Sequence, residues 1–194
     1  MRLIVGISGS SGAIYGVRLV QVLRDDPNIE VHLVMSDAAR LTIAHETEVT
    51  PDEVASWADV VHDVRDISAT ISSGSFITAG MAVAPCSIRT LASIANSLND
   101  NLLTRAADVC LKERRKLVIV PRETPLHLGH LRQMMEVTQS GAVVLPPVPS
   151  FYHLPKTVMD IVDHTVGKVL DQFEIDKKLF KRWAGLPPGV PRPE

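Results

Sequence analysis

Cysteine, aromatic rings and excess charge are all scarce in this sequence. Its two cysteines, Cys86 and Cys110, stand in apolar surroundings without CxxC or Cys/His spacing, which argues against a disulfide scaffold or a zinc site and points to a reducing cytosol. The seven histidines form no HxH or HExxH pattern, and His127 and His130 lack a third ligand, so no metal site is expected. Twenty basic residues against 22 acidic ones leave a formal charge of -2, which removes the long-range electrostatic case for nucleic acid or an anionic membrane. No apolar run approaches the ~18 residues of a membrane span. The opening stretch Arg2-Leu3-Ile4-Val5-Gly6-Ile7-Ser8 is too short for a signal peptide, so a soluble cytoplasmic protein is expected. With two Trp, two Tyr and four Phe, the core must be built from Val, Leu, Ile and Ala.

What is present is a globular balance, 45% hydrophobic and 22% charged, which excludes a disordered, collagen-like or coiled-coil chain. The expectation is one domain over residues 1–186 and an extended proline-rich tail over 187–194. Apolar runs of strand length alternate with stretches of helical period, the pattern of an α/β fold with a parallel sheet. Strands are expected at Leu3–Ser8, Val31–Ser36, Met81–Pro85, Leu117–Pro121 and Ala142–Leu145, all lacking strict alternation because both faces are covered. Helices are expected at Ala13–Arg24, Ala38–His45, Ile88–Ser97, Arg105–Arg115, Leu128–Gln139 and Val158–Phe173; in the last, a buried stripe runs from Val158 through Val162, Val166 and Val169 to Phe173. Between Thr50 and Thr78 the reading is a helix led by Pro51, a charged connector and a Ser-rich loop.

Ligands of an open parallel sheet bind beyond the carboxyl ends of its strands. After the first strand, Ser8-Gly9-Ser10-Ser11-Gly12 is either a phosphate cradle at a helix N-terminus or a tight turn, and it fits neither GxGxxG nor a Walker loop. Ser36 follows the second strand; Ser87 and Thr90 follow the third and could cap a helix, touch a ligand, or both. Three Ser-rich turns at successive strand ends favour a shared crevice. Cys86 beside them reads as a small buried hydrophobe rather than a nucleophile. Arg105, Asp108 and Lys112 share one helix face, either as solvated charge or as an anion site. Arg122 and Glu123 at the fourth strand end form either an ion pair or a phosphate grip with a proton carrier, and the loop Pro146 to His153 presents three rings.

Gly9-Ser10-Ser11-Gly12-Ala13, Ser72-Ser73-Gly74-Ser75, Pro85-Cys86-Ser87, Arg105-Ala106-Ala107-Asp108, Leu111-Lys112-Glu113-Arg114, Pro121-Arg122-Glu123-Thr124-Pro125-Leu126 and Pro149-Ser150-Phe151-Tyr152, in that order, resemble the UbiX/Pad flavin prenyltransferases. The resemblance runs from Met1 to about Leu186 and implies a flavodoxin-like, Rossmann-type, doubly wound parallel sheet. It further implies a homododecamer with active sites at subunit boundaries. The implied reaction joins dimethylallyl monophosphate to reduced FMN at N5 and C6 without metal, releasing phosphate and giving prenylated FMN for a UbiD-type decarboxylase.

Matched position by position, the resemblance assigns Gly9, Ser10, Ser11, Ser36, Ser87, Ile88, Arg89, Thr90 and Arg122 to FMN. It assigns Ser73, Arg105, Lys112, Arg122, Glu123, Tyr152, Lys168 and Trp183 to the prenyl phosphate, with Glu46 near the subunit boundary. Glu123, Lys112, Arg122, Tyr152 and Glu46 are the implied catalytic set. Lys168 stands where many relatives have Arg, which replaces a bidentate grip by a single point of charge; Ser10 stands where Ala is common. Two competitors share the fold: a cysteine decarboxylase, whose Pro-Ala-Ser-Ala-Asn segment is here Pro85-Cys86-Ser87-Ile88-Arg89, and a flavin carrier without activity.

Overall fold

The structure is a computed structural model that describes residues 1–185. The tail expected over 187–194 lies outside the described residues. The apolar runs form parallel strands β1 (Arg2–Ile7), β2 (Glu30–Met35), β3 (Val60–His62), β4 (Gly80–Cys86), β5 (Lys116–Pro121) and β6 (Val143–Val144), in the order β3-β2-β1-β4-β5-β6. The helices are α1 (Ala13–Leu23), α2 (Asp37–Glu46), α3 (Pro51–Ser56), α4 (Ile88–Ala95), α5 (Leu102–Lys112), α6 (Leu128–Gln139) and α7 (Val158–Asp171). Both faces of β1, β4 and β5 are buried, which is why their sequences do not alternate.

Two apolar layers sandwich the sheet. Leu19, Val20 and Leu23 of α1, Ile43 of α2, Val54 of α3 and Val166, Val169 and Leu170 of α7 pack on one face. Leu91 and Ile94 of α4, Leu103, Ala106, Ala107 and Cys110 of α5 and Val137 of α6 pack on the other. The chain winds outward from β1 to β3, then crosses to β4 on the opposite side of β1, so a switch point opens between the carboxyl ends of β1 and β4. Among the described residues no helix is long and apolar enough to cross a membrane.

Four details depart from expectation. The charged connector contains β3, a three-residue edge strand paired only with β2 and partly exposed, too short to show an apolar run. The helix expected from Arg105 starts at Leu102, because Asn101 and Thr104 form a reciprocal cap and Leu102 and Leu103 are buried beneath it. The last strand shrinks to Val143–Val144. In α7, capped by Thr157 and Asp160, Val162, Val166 and Val169 are buried, but Val158 is 76% exposed and does not join the stripe.

Candidate functional site

Ser8, the residue after β1, is 1% exposed and ties the two sides of the switch point together. Its hydroxyl donates to the Pro85 carbonyl at 3.0 Å and accepts the Ser87 N–H at 2.7 Å. Ser36 and Ser87 are N-caps: Ser36 Oγ accepts the Ala39 N–H at 3.0 Å, and Ser87 Oγ accepts the Thr90 N–H at 3.2 Å while donating to Thr90 Oγ1 at 3.0 Å. A Cβ on Gly9 would fall 2.2 Å from the Ala38 methyl, so only glycine lets the β1 turn lie against α2.

These turns enclose a cavity of about 500 Å³ lined by Gly9, Ser36, Asp37, Val64, Arg65, Ser87, Arg89, Thr90, Asp100, Asn101 and Thr104, among others. The first turns of α2 and α4 border it, bringing the positive ends of two helix dipoles to one space. Five of the residues expected to hold flavin therefore meet here; Ser36 and Ser87 also serve as helix caps, Thr90 as the partner of the second cap, and Gly9 as a tight turn. Arg65, Asn101 and Thr104 were not among them; the Asn101/Thr104 capping pair was the available signal. A second cavity of about 420 Å³, lined by Met1, Arg24–Glu30 and Asp59, lies at the amino ends of β1 and β2 and contains none of the expected site residues.

Beside the first cavity, Gly12 turns into α1 with φ 90°, a left-handed conformation that suits glycine. At this helix start the Gly12 and Ala13 N–H groups donate to Glu46 Oε2 at 2.7 and 3.2 Å, so these two donors are taken up by the chain's own carboxylate. Burial pushes the Glu46 carboxyl up, but hydrogen bonds from Ser11, Gly12 and Ala13 and the Arg122 charge outweigh it and hold the group below its ordinary range. Ser10 keeps a buried hydroxyl with no partner. Ile88, half-buried, opens α4. Arg122 Nε donates to the Ser11 carbonyl at 3.0 Å, binding the β5 end to the β1 turn. Of the two alternatives for Arg122 and Glu123, the ion pair is absent; the exposed Glu123 accepts its neighbour Thr124 N–H at 3.0 Å instead.

Apart from Arg122 and Glu123 at the β5 end, the expected prenyl-phosphate residues divide into two groups on opposite faces of the sheet. On the α5 side, Arg105 donates to the Ser72 carbonyl at 3.1 Å and pairs with Asp108 at 2.8 Å, while Ser73 and Ser75 share a hydroxyl contact at 2.9 Å. Lys112 pairs with Glu113 beside Gly74. Because α5 ends just before β5 begins at Lys116, Lys112 lies toward the amino ends of the strands, away from the cavity. On the α7 side, Tyr152 Oη lies 3.0 Å from His164 Nε2, Lys168 pairs with Asp171 at 3.3 Å, and the Trp183 ring meets Tyr152 edge-on with centroids 5.9 Å apart. A single chain thus does not gather Lys112, Arg105 and Ser73 with Tyr152, Lys168 and Trp183.

The remaining candidates have structural explanations. Cys86 and Cys110 are free and buried; burial pushes both thiols up, Cys110 to about 12 against a lowering by Arg115, which leaves neither as a nucleophile. His127 caps α6, and its ring lies 3.6 Å from that of His130, centroid to centroid.

A doubly wound parallel sheet with hydroxyl-capped helix starts around its switch point defines a nucleotide-binding α/β protein, and residues 1–181 match the family model described as Flavoprotein. The chain is 62% identical over 186 residues to the flavin prenyltransferase UbiX of Salmonella typhimurium, covering 95% of this chain and 98% of the relative. It is 58% identical to the enzyme of the same name from Thauera aromatica, covering 95% of each. The chain belongs to the UbiX family of flavin prenyltransferases and is an enzyme that transfers prenyl groups.

Among solved structures, it superposes with a TM-score of 0.94 at 52% identity on a dodecameric FMN-dependent UbiX-like decarboxylase from Escherichia coli O157:H7, covering 95% of this chain and all of the other. With AnUbiX in complex with FMN and dimethylallyl pyrophosphate the TM-score is 0.93 at 48% identity, covering 96% and 98%. The peptidyl-cysteine decarboxylase EpiD, at 21% identity and a TM-score of 0.61 over 77% of this chain and 82% of its own, shares the fold.

Proposed function

We propose that this chain joins the dimethylallyl group of dimethylallyl monophosphate to reduced FMN, at N5 and then C6, releasing inorganic phosphate without a metal ion. The observation that carries the reading is the one cavity at the switch point, where Gly9, Ser36, Ser87, Arg89 and Thr90 stand together. The unpartnered buried hydroxyl of Ser10, next to Gly9, is the kind of group a flavin's polar edge would satisfy. Ser11, Ile88 and Arg122 complete the set that would hold the cofactor. Reduced flavin supplies the electron-rich acceptor.

The protein's part is to hold and polarise the ester. Lys112, Arg105, Lys168 and Arg122 take up the charge that grows on phosphate as the C–O bond breaks, and positioning supplies much of the acceleration. Tyr152 orients the phosphate, Ser73 and Trp183 border it, and Glu123, exposed at the β5 end, carries protons. Lys168, a single-point cation, contributes charge rather than a fixed bidentate geometry. Glu46 keeps the Gly12 turn in shape at the subunit boundary.

Because the α5 and α7 groups lie on opposite faces of the sheet, the complete site is read as formed between chains, in a dodecamer like that of the Escherichia coli relative. The product, prenylated FMN, would pass to a UbiD-type decarboxylase. Two buried unpaired thiols suit the cytoplasm. The test is to incubate the anaerobic complex with reduced FMN and dimethylallyl monophosphate. A mass gain of one prenyl unit on the flavin with equivalent phosphate release is expected; bound but unaltered flavin would mark a carrier and overturn the reading.

A further inference from the structure

Rings collect beside α7. His164 is stacked on His153 with centroids 4.9 Å apart and planes 6° from parallel, and it meets Phe180 edge-on at 4.7 Å. Phe180 can come this close because α7 carries Gly167 there; a Cβ would fall 2.5 Å from the ring. The third contact of His164 is a hydrogen bond between its Nε2 and Tyr152 Oη, 3.0 Å apart. Lys168 stands four residues further along the same helix face. The imidazole is therefore held by packing before any ligand arrives, while Tyr152 itself is 44% exposed.

We propose that His164 is the positioning residue for Tyr152: its Nε2–H donates to the phenolic oxygen and leaves the single phenolic proton to point at the phosphoryl oxygens of the prenyl phosphate. The inference rests on the reading of Tyr152 as a phosphate contact. A phenol has one proton and two lone pairs, so a Tyr152 that donated to His164 would offer an anionic phosphate only lone pairs. A neutral imidazole protonated at Nε2 removes that conflict and spares the ordering of an otherwise free side chain. Burial first, then the neighbouring His153 and Lys168, lowers the His164 pKa against the pull of Asp171, which favours the neutral ring. Asp171 is itself shared between Lys168 and Arg182, at 3.3 and 2.7 Å.

The experiment measures KM for dimethylallyl monophosphate, kcat and FMN affinity in the assembled holoenzyme for His164→Leu, His164→Gln, Tyr152→Phe and the Tyr152→Phe/His164→Leu double variant. His164→Leu is expected to raise KM about tenfold, the loss of one oriented hydrogen bond, without changing FMN affinity. His164→Gln, whose amide can donate from a similar place, restores KM, and the double variant is no worse than Tyr152→Phe alone. Unchanged KM in His164→Leu where Tyr152→Phe raises it overturns the inference. So do additive effects, or loss of FMN binding in both His164 variants, which would mark a packing role. If Tyr152→Phe itself leaves KM unaltered, the phosphate role of Tyr152 falls, and this inference falls with it.

Discussion

Glu46 Oε2 accepts the backbone N–H of Gly12 at 2.7 Å across 34 residues, so the end of α2 caps the start of α1 with a carboxylate. The contact combines an N-cap hydrogen bond with a favourable charge at the helix dipole. Glu46→Gln should lower stability by about 1 kcal/mol or less, roughly 2–4 °C in Tm for a chain of this size. Since the folded pKa is depressed, the stabilisation is complete above the ordinary glutamate range and is lost as pH falls through the lower folded value. Thermal melts at neutral pH and near pH ~3 should show the gap between wild type and variant closing in acid.

Ser8→Ala should cost more, because the Ser87 N–H loses its acceptor where β1 meets β4. The expected loss is about 1–3 kcal/mol, with weaker FMN affinity since Ser87 would no longer be fixed. Melting with and without FMN checks it: the variant should melt lower and gain less from a given FMN concentration.

Glu123→Gln should depress kcat by at least ~100-fold while leaving FMN affinity within about twofold, because proton transfer is lost and shape is kept. Single-turnover flavin prenylation beside an FMN titration separates the two. Wild-type turnover would remove Glu123 from proton transfer.

Lys112→Ala and Lys168→Ala should each be impaired in prenyl transfer, yet oligomers reassembled from both should recover activity. The two lysines sit on α5 and α7, on opposite faces of the sheet, so on the proposed site between chains mixed assemblies contain some boundaries with both cations intact. Phosphate release measured before and after mixing is the readout; no recovery would place both lysines in one chain's site.

Much of this architecture was legible because burial on both faces writes itself as unbroken apolar runs, as in Leu3–Ile7 and Leu117–Val120. α6 could be bounded at Leu128 and Gln139 from periodicity alone, while β3 could not be seen, being short and half wet. Of the site, Ser36 and Ser87 were visible as polar residues at strand ends, Ser87 also as a cap. What the sequence could not show was long-range pairing: Glu46 with Gly12, Arg122 with the Ser11 carbonyl, Tyr152 with His164. Periodicity placed Arg105, Asp108 and Lys112 on one face correctly, but the helix's direction decides that Lys112 faces the amino ends of the strands.

The contact between Gly9 and Ala38 makes the fit of the β1 turn against α2 a matter of hard-sphere size. Neither ionic strength nor titration can alter a contact set by backbone against methyl, so this one should be the same across buffers. A single added carbon at position 9 would act as a wedge, prising the first turn from α2 and displacing cavity-lining residues whose own side chains were untouched.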